Sequence, residues 1–349
     1  MTAPPRTRGP WRAWRGPWWS MRIHLPTLII LGVSAVLGLG VGIVAMTLGD
    51  MPLALNDVAT ALWSRADPQT EFVVFQLRLP RLLLGFLVGA ALAMSGAVFQ
   101  GVTRNDLVAP DIIGVTSGAG AAGFVWILLT HNVSGLPFAV FSGAVLTTAV
   151  VYLLAKRERL DPNRMVLVGI GVQTFLTAVE AYMVRRFPIK DVIWADNLLI
   201  GSLSRARWSD VSLIAFGLAV AVPFVLWYSR SVRIIALGED CAATSGVHVG
   251  RVRIILIALG CWLAALAVTV AGLIGFVALV VPHIVRLMVG QITGLSLLLT
   301  GVCGGVLTML ADVVGANFFP VAVPVSVIIA AIGAPYFLIV FTLVQRKRA

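Results

Sequence analysis

Long apolar stretches, broken by short polar or basic segments, recur along the whole chain. Between Leu82 and Thr103 there is no Asp, Glu, Lys or Arg, and the same holds over a longer run from Ile254 to Val285. A helix that crosses a bilayer needs about 20 mostly apolar residues. The first run therefore suits one crossing, and the second leaves room for most of two. Applied to the whole chain, this reasoning predicts ten spans, at 26–48, 82–103, 112–131, 136–155, 165–184, 209–228, 254–271, 273–289, 295–315 and 325–344. Gly272 alone separates the seventh from the eighth. The expected fold is an all-α polytopic membrane protein. Residues 26–349 form a single transmembrane domain behind a basic arm, 1–25, that is expected to be disordered.

Composition agrees. The 349 residues are 59% hydrophobic and 12% charged, against roughly 25% charged in soluble domains. The net charge of +11 does not point to nucleic acid, because the basic residues sit between apolar segments and at the two ends, where lipid head groups meet them. With both termini cytoplasmic, the ten spans leave 18 of the 26 Lys and Arg inside and the rest outside, the bias expected of a cell-membrane protein. The arm lacks an apolar core, so it does not read as a signal peptide, and its Trp11, Trp14, Trp18 and Trp19 suit a membrane interface. Cys241, Cys261 and Cys303 lie far apart without metal-binding spacing.

Three polar stretches carry candidate chemistry. Arg78-Leu79-Pro80-Arg81 reads as a stiff cationic corner before the second span; it suits carboxylates on a partner or lipid phosphates. Arg104-Asn105-Asp106-Leu107 reads as an inner turn ahead of Pro110, where Asn105 and Leu107 could close a pore from below or simply reverse the chain. Ala236 to Gly250 reads as an inner loop of one or two short helices, with acids Glu239 and Asp240 and breakers Gly238 and Gly246. Such helices can dock into a soluble partner, although a solvated connector has the same composition. Gly89, Gly96, Gly101, Gly114, Gly118, Gly120 and Gly123 crowd the second and third spans, either for close helix packing alone or for close packing around a path whose helices shift.

Ionisable groups inside the spans are Glu180, His283, Arg286 and Asp312. Each is costly in lipid and is a candidate functional residue, though four scattered groups make a poor proton relay. A P-loop needs Gly before Lys, and Lys156, Lys190 and Lys347 follow Ala155, Ile189 and Arg346. Any ATP must therefore be hydrolysed elsewhere. No nucleophile–base pairing suggests an enzyme.

Beyond the arm, the chain resembles the FecCD-type permeases of bacterial iron-siderophore and vitamin B12 importers. The resemblance rests on an ordered series: Arg78-Leu79-Pro80-Arg81, Gly89-Ala90, Ser95-Gly96-Ala97, Gln100, Arg104-Asn105, Pro110, Gly114, Ser117-Gly118-Ala119, Trp194, Gly201-Ser202-Leu203, Leu237-Gly238, Ala271-Gly272, Ile274, Phe276-Val277, Pro282-His283, Arg286, Ala311-Asp312 and Ile332-Gly333-Ala334-Pro335. It implies a type II ABC importer permease. Two permease subunits would enclose one path, a soluble binding protein would deliver ferric siderophore outside, and two ATPase subunits holding ATP and Mg would bind inside. It implies binding-protein docking for Arg78 and Arg81, and an inner gate at Asn105 and Leu107. ATPase coupling would fall to Leu237, Gly238, Glu239, Asp240, Ala242 and Gly246. Path or packing roles would fall to Ser95, Gly96, Gln100 and Ser117.

The chain also departs from the pattern. Asp106 stands where Pro usually follows Asn, Ala316 where an Arg joins the outer salt bridges, Ala322 where an acid often stands, and Ser326 where Gly is usual. The missing Arg implies a heterodimer with a related permease. The rival expectations are a vitamin B12 or haem permease and, from another class, an ion-coupled secondary transporter.

Overall fold

The structure, a computed structural model, describes residues 11–15, 20–49, 51–63, 67–156, 162–238, 242, 244–290 and 292–346. Within the basic arm, β1 (Trp11–Arg15) pairs antiparallel with β2 (Ser20–His24). All else that is regular is helical. The helices are α1 (Leu25–Thr47), α2 (Leu55–Trp63), α3 (Pro68–Thr103), α4 (Val115–Thr130), α5 (Leu136–Ala155), α6 (Pro162–Arg186), α7 (Ile189–Leu199), α8 (Trp208–Leu237), α9 (Val249–Ala271), α10 (Val277–Val289), α11 (Gly294–Asn317) and α12 (Val325–Arg346). Helices α1, α3, α5, α6, α8, α9 and α11 are long and apolar enough to cross a membrane, and α4, α10 and the Val325–Val340 part of α12 are shorter apolar helices. These ten correspond one for one to the expected spans. Helices α2 and α7, of 9 and 11 residues, which hydropathy does not reveal, are too short to be spans and lie in the connections.

The second span begins earlier than hydropathy suggests. Helix α3 starts at Pro68 and runs through Arg78-Leu79-Pro80-Arg81 without a break, so the expected corner is absent. Its place is taken by a π-helical stretch, Val73–Arg78, where the Leu79 N–H reaches back to the Val74 carbonyl. Proline has no N–H to give an α-helical ladder, and the wider turn just before Pro80 keeps the chain helical across it.

Helix α3 is the centre of the bundle. It packs against α8, α9, α10 and α11, and most of its residues from Leu84 onward are buried. Phe99, Leu84 and Leu92 are among the largest side chains fully enclosed there. Glycines set how closely the helices cross. A Cβ on Gly96 would lie 2.5 Å from the Ala278 carbonyl carbon of α10, and one on Gly89 would lie 2.6 Å from the Gly304 carbonyl carbon of α11. Gly118 of α4 and Gly143 of α5 meet in the same way. Backbone against backbone at this range gives dispersion contact that lipid cannot replace. Close packing, which both readings of these glycines require, is realised at Gly89, Gly96 and Gly118.

Between α9 and α10 the helix stops for residues 272–276. Gly272 has φ +77 and Phe276 φ +64. Two of the freed groups are met by the segment that follows α7: Leu273 N–H donates to the Leu199 carbonyl and Ser202 N–H to the Ala271 carbonyl, while Ser326 N–H of α12 donates to the Gly201 carbonyl of that segment. Irregular backbone at membrane depth is tolerated where protein supplies its partners.

Candidate functional site

Three places on the bundle gather the polar side chains. In the N-terminal half of α3, Arg81 makes a two-pronged ion pair with Asp312 of α11, with Nε–Oδ2 at 2.7 Å and an Nη2–Oδ1 hydrogen bond at 2.9 Å. The carboxylate is 14% exposed and the guanidinium 33%. Parallel N–H···O bonds to a charged carboxylate are among the stronger side-chain contacts. Arg78 turns back to donate to the Met46 and Met51 carbonyls. Both arginines line a cavity of about 420 Å³ together with Asp312, Ala316 and Ala322. The two alanines that depart from the family pattern thus face the cavity, where they leave open space.

At the opposite end of α3, Arg104 has φ +54 and terminates the helix. The Asn105 side chain accepts the Leu107 N–H at 3.0 Å, which closes a tight local turn. Asp106, noted in the sequence as a departure from the family pattern, carries the long-range link. Its carboxylate pairs with Arg286 of α10, and Oδ2 lies 3.8 Å from His283 Nδ1. His283 in turn stands edge-on to Tyr336 of α12, centroids 6.1 Å apart. The turn around Asn105 and Leu107 is therefore fastened to α10 through the residue that replaces Pro. After it comes a single 3₁₀ turn, Pro110–Ile113, in which Asp111 accepts the Thr116 hydroxyl. Burial pushes the Asp111 carboxyl above its ordinary range, and the Thr116 bond opposes that shift.

Ser95, Gly96 and Gln100 come together on α3, all buried. Ser95 donates to the Gly260 carbonyl of α9 at 2.6 Å, and Gln100 Nε2 to the Leu279 carbonyl of α10 at 3.1 Å. They are interhelical ties. Ser117 lies apart on α4, 3.4 Å from the Gly114 carbonyl.

In the connection between α8 and α9, α8 ends at Leu237 and Gly238 has φ +138. The chain folds back through Ala242 N–H to the Gly238 carbonyl and Val247 N–H to the Ala242 carbonyl, and Gly246 has φ +78. Glu239 and Asp240 lie outside the described residues, as do residues 1–10 and 16–19 of the arm. Ala242, expected on the docking face, is fully buried, whereas Thr244, Ser245, Gly246 and His248 are exposed. No metal-binding group of His, Cys, Asp and Glu occurs among the described residues.

Sequence reasoning gave Asp106 no partner, and it passed over Asp111 and the α7 packing, where Trp194 stacks on His131 with centroids 6.3 Å apart. The only signal for Asp106 was its departure from the pattern.

A bundle of ten apolar helices, tied by close backbone contacts, defines a polytopic helical membrane protein. The chain belongs to the FecCD transport family, whose model matches residues 35–343. It is 34% identical over 326 residues to the Fe(3+)-citrate import system permease protein YfmE of Bacillus subtilis, covering 93% of this chain and 97% of that one. It is 39% identical over 274 residues to the cobalamin import system permease protein BtuC of Halobacterium salinarum, covering 78% and 74%. A solved inward-facing structure described as a metal-chelate type ABC transporter superposes with a TM-score of 0.81 at 29% identity, over 90% of this chain and 99% of that one.

Proposed function

We propose that this chain is the permease half of an ATP-driven importer that passes ferric siderophores handed over by a soluble binding protein. The observation that carries the reading is the family match over nearly the whole bundle, together with relatives that are import permeases for iron chelates. Arg78 and Arg81 ring the outer cavity and offer cationic edges to acids on the binding protein. The turn at Asn105 and Leu107 closes the path inside. The loop from Ala236 to Gly250 meets the ATPase through Thr244, Ser245, Gly246 and His248, with Glu239, Asp240 and the buried Ala242 shaping it. ATP and Mg belong to the ATPase partner, and both termini lie on its side of the inner membrane. Ala316 and Ala322 leave the outer cavity one ion pair short, which favours a related, non-identical second permease that supplies it.

The test is reconstitution with the neighbouring permease, ATPase and binding protein in proteoliposomes. ATP-dependent uptake of a radio-iron hydroxamate or citrate chelate is expected, and the purified permease alone should show no saturable nucleotide binding. Uptake driven by a sodium or proton gradient without ATP would refute the reading. The 39% identity to a cobalamin permease favours one second reading, and preferential uptake of labelled cobalamin in the same vesicles would establish it.

A further inference from the structure

Of the four ionisable side chains that hydropathy placed within the spans, Glu180, His283, Arg286 and Asp312, the fold gives charged neighbours of opposite sign to Asp312 and Arg286 and places His283 beside Asp106. Glu180 of α6 is the exception: it has no hydrogen bond or ion pair among the described residues, and the group acting on it electrostatically is another acid, Asp196 of α7. Helix α6 is also unusual as a whole. Only 11% of its most apolar window is buried, a value that only α1, at 0%, falls below among the seven long spans, and its mean hydropathy, 1.5, is the lowest of the seven.

The exposed surface of α6 has two sides. At about 100° per residue, Gln173 and Thr177 fall within roughly 60° of Glu180, which makes one polar stripe. Phe175 and Tyr182, 67% and 63% exposed, fall roughly 140–160° away and suit lipid. The Thr177 hydroxyl is satisfied by the Gln173 carbonyl of its own helix, so Gln173 and Glu180 are the groups of the stripe that still need solvation. Beside the carboxyl stands Gly120 of α4, where even an added Cβ would come 3.5 Å from Oε1. Arg185 and Arg186 close the outer end of the helix but point roughly 120–140° away from Glu180, so they do not neutralise it. A carboxylate at this depth cannot rest in lipid, and the residues around it in this chain add negative charge. Water in a path can solvate it.

We propose that the Gln173–Thr177–Glu180 stripe of α6 lines the substrate path and that Glu180 is a charge-selecting residue there, favouring neutral and cationic ferric chelates over polyanionic ones. The proposal rests on the importer reading and deepens it. A fixed negative charge in a narrow aqueous path lowers the local concentration of anions and raises that of cations.

The test uses the assembled importer in membrane vesicles, with Cys241, Cys261 and Cys303 replaced and Thr177→Cys introduced. The reaction rates of a cationic and an anionic methanethiosulfonate reagent are compared in Glu180 and Glu180→Gln backgrounds. Both reagents should react, and the cation-to-anion rate ratio should fall roughly tenfold in Glu180→Gln. That is the size expected for unit charges about 6 Å apart in water acting with opposite sign on the two reagents. In the Glu180 background the cation preference at Thr177→Cys should also exceed that at Thr174→Cys, which keeps the test open if Glu180→Gln does not assemble. Uptake of ferric dicitrate relative to a neutral ferric hydroxamate should rise in Glu180→Gln. Silence toward both reagents would place the stripe in lipid or against the second permease, and an unchanged ratio would remove the selecting role; either overturns the proposal. If ATP-driven chelate uptake persists in that case, the importer reading stands without it; if the wild-type complex takes up no ferric chelate, both fail.

Discussion

Replacing Gly96 with Ala tests the architecture at its tightest crossing. The added methyl would sit 2.5 Å from the Ala278 carbonyl carbon, 2.8 Å from its Cα, and closer still to its oxygen. Ordinary contact between such atoms is about 3.5–4 Å, so α3 and α10 must part by roughly 1 Å or more. Both sides of this contact are helix backbone, which cannot rotate out of the way as a side chain could. Overpacking of this kind costs about 1–3 kcal/mol, and the better helix propensity of Ala returns at most about 1 kcal/mol. The separation would also strain the Gln100–Leu279 bond one turn away, 3.1 Å long. Gly171→Ala in α6 is the matched control, because nothing lies within 4 Å of its added Cβ. Thermal unfolding in lipid nanodiscs should show Gly96→Ala melting several degrees below wild type, and Gly171→Ala at or above it. Equal midpoints for the two variants would refute the packing argument.

Three further outcomes follow from named contacts. Arg81→Ala and Asp312→Ala should each cost about 1–3 kcal/mol, and the double substitution should cost less than their sum, as read in a double-mutant cycle of unfolding; additive losses would show that the pair does not form. Asp106→Ala leaves Arg286 partly buried without its carboxylate, so stability should fall by a similar amount and be partly recovered by the exchange Asp106→Arg with Arg286→Asp, measured by the same melts. Asp111 binds its proton more tightly folded than unfolded, so its contribution is complete below the ordinary value of 3.8 and is lost as pH rises through the raised folded value; Asp111→Asn should flatten the fall in stability across that window and be the more stable form at neutral pH.

The number and approximate position of the spans were legible in the chain because a bilayer forces about 20 apolar residues per helix, a requirement each segment meets locally. The ordered motifs, from Arg78-Leu79-Pro80-Arg81 to Ala311-Asp312, were enough to suggest the family. Where hydropathy misled, the cause was local backbone geometry: a π-helical stretch carries α3 through Pro80, and facing segments around Gly201 and Leu273 satisfy the break before α10. No one-dimensional pattern reports those.

Partnership was the part only tertiary structure could decide. Arg81 and Asp312 are 231 positions apart, and Asp106 and Arg286 are 180 apart. Which acid meets which base depends on how helices cross, and the crossings are set by glycines such as Gly89 and Gly96, whose missing side chains let backbones touch. Sequence alone marked Glu180, His283, Arg286 and Asp312 as equally costly in lipid. Packing against opposite charge accounts for Arg286 and Asp312 and sets His283 beside Asp106, and the same packing leaves Glu180 on an exposed face of α6, because α4 and α7 bring it a glycine and a second acid where a cation would be needed.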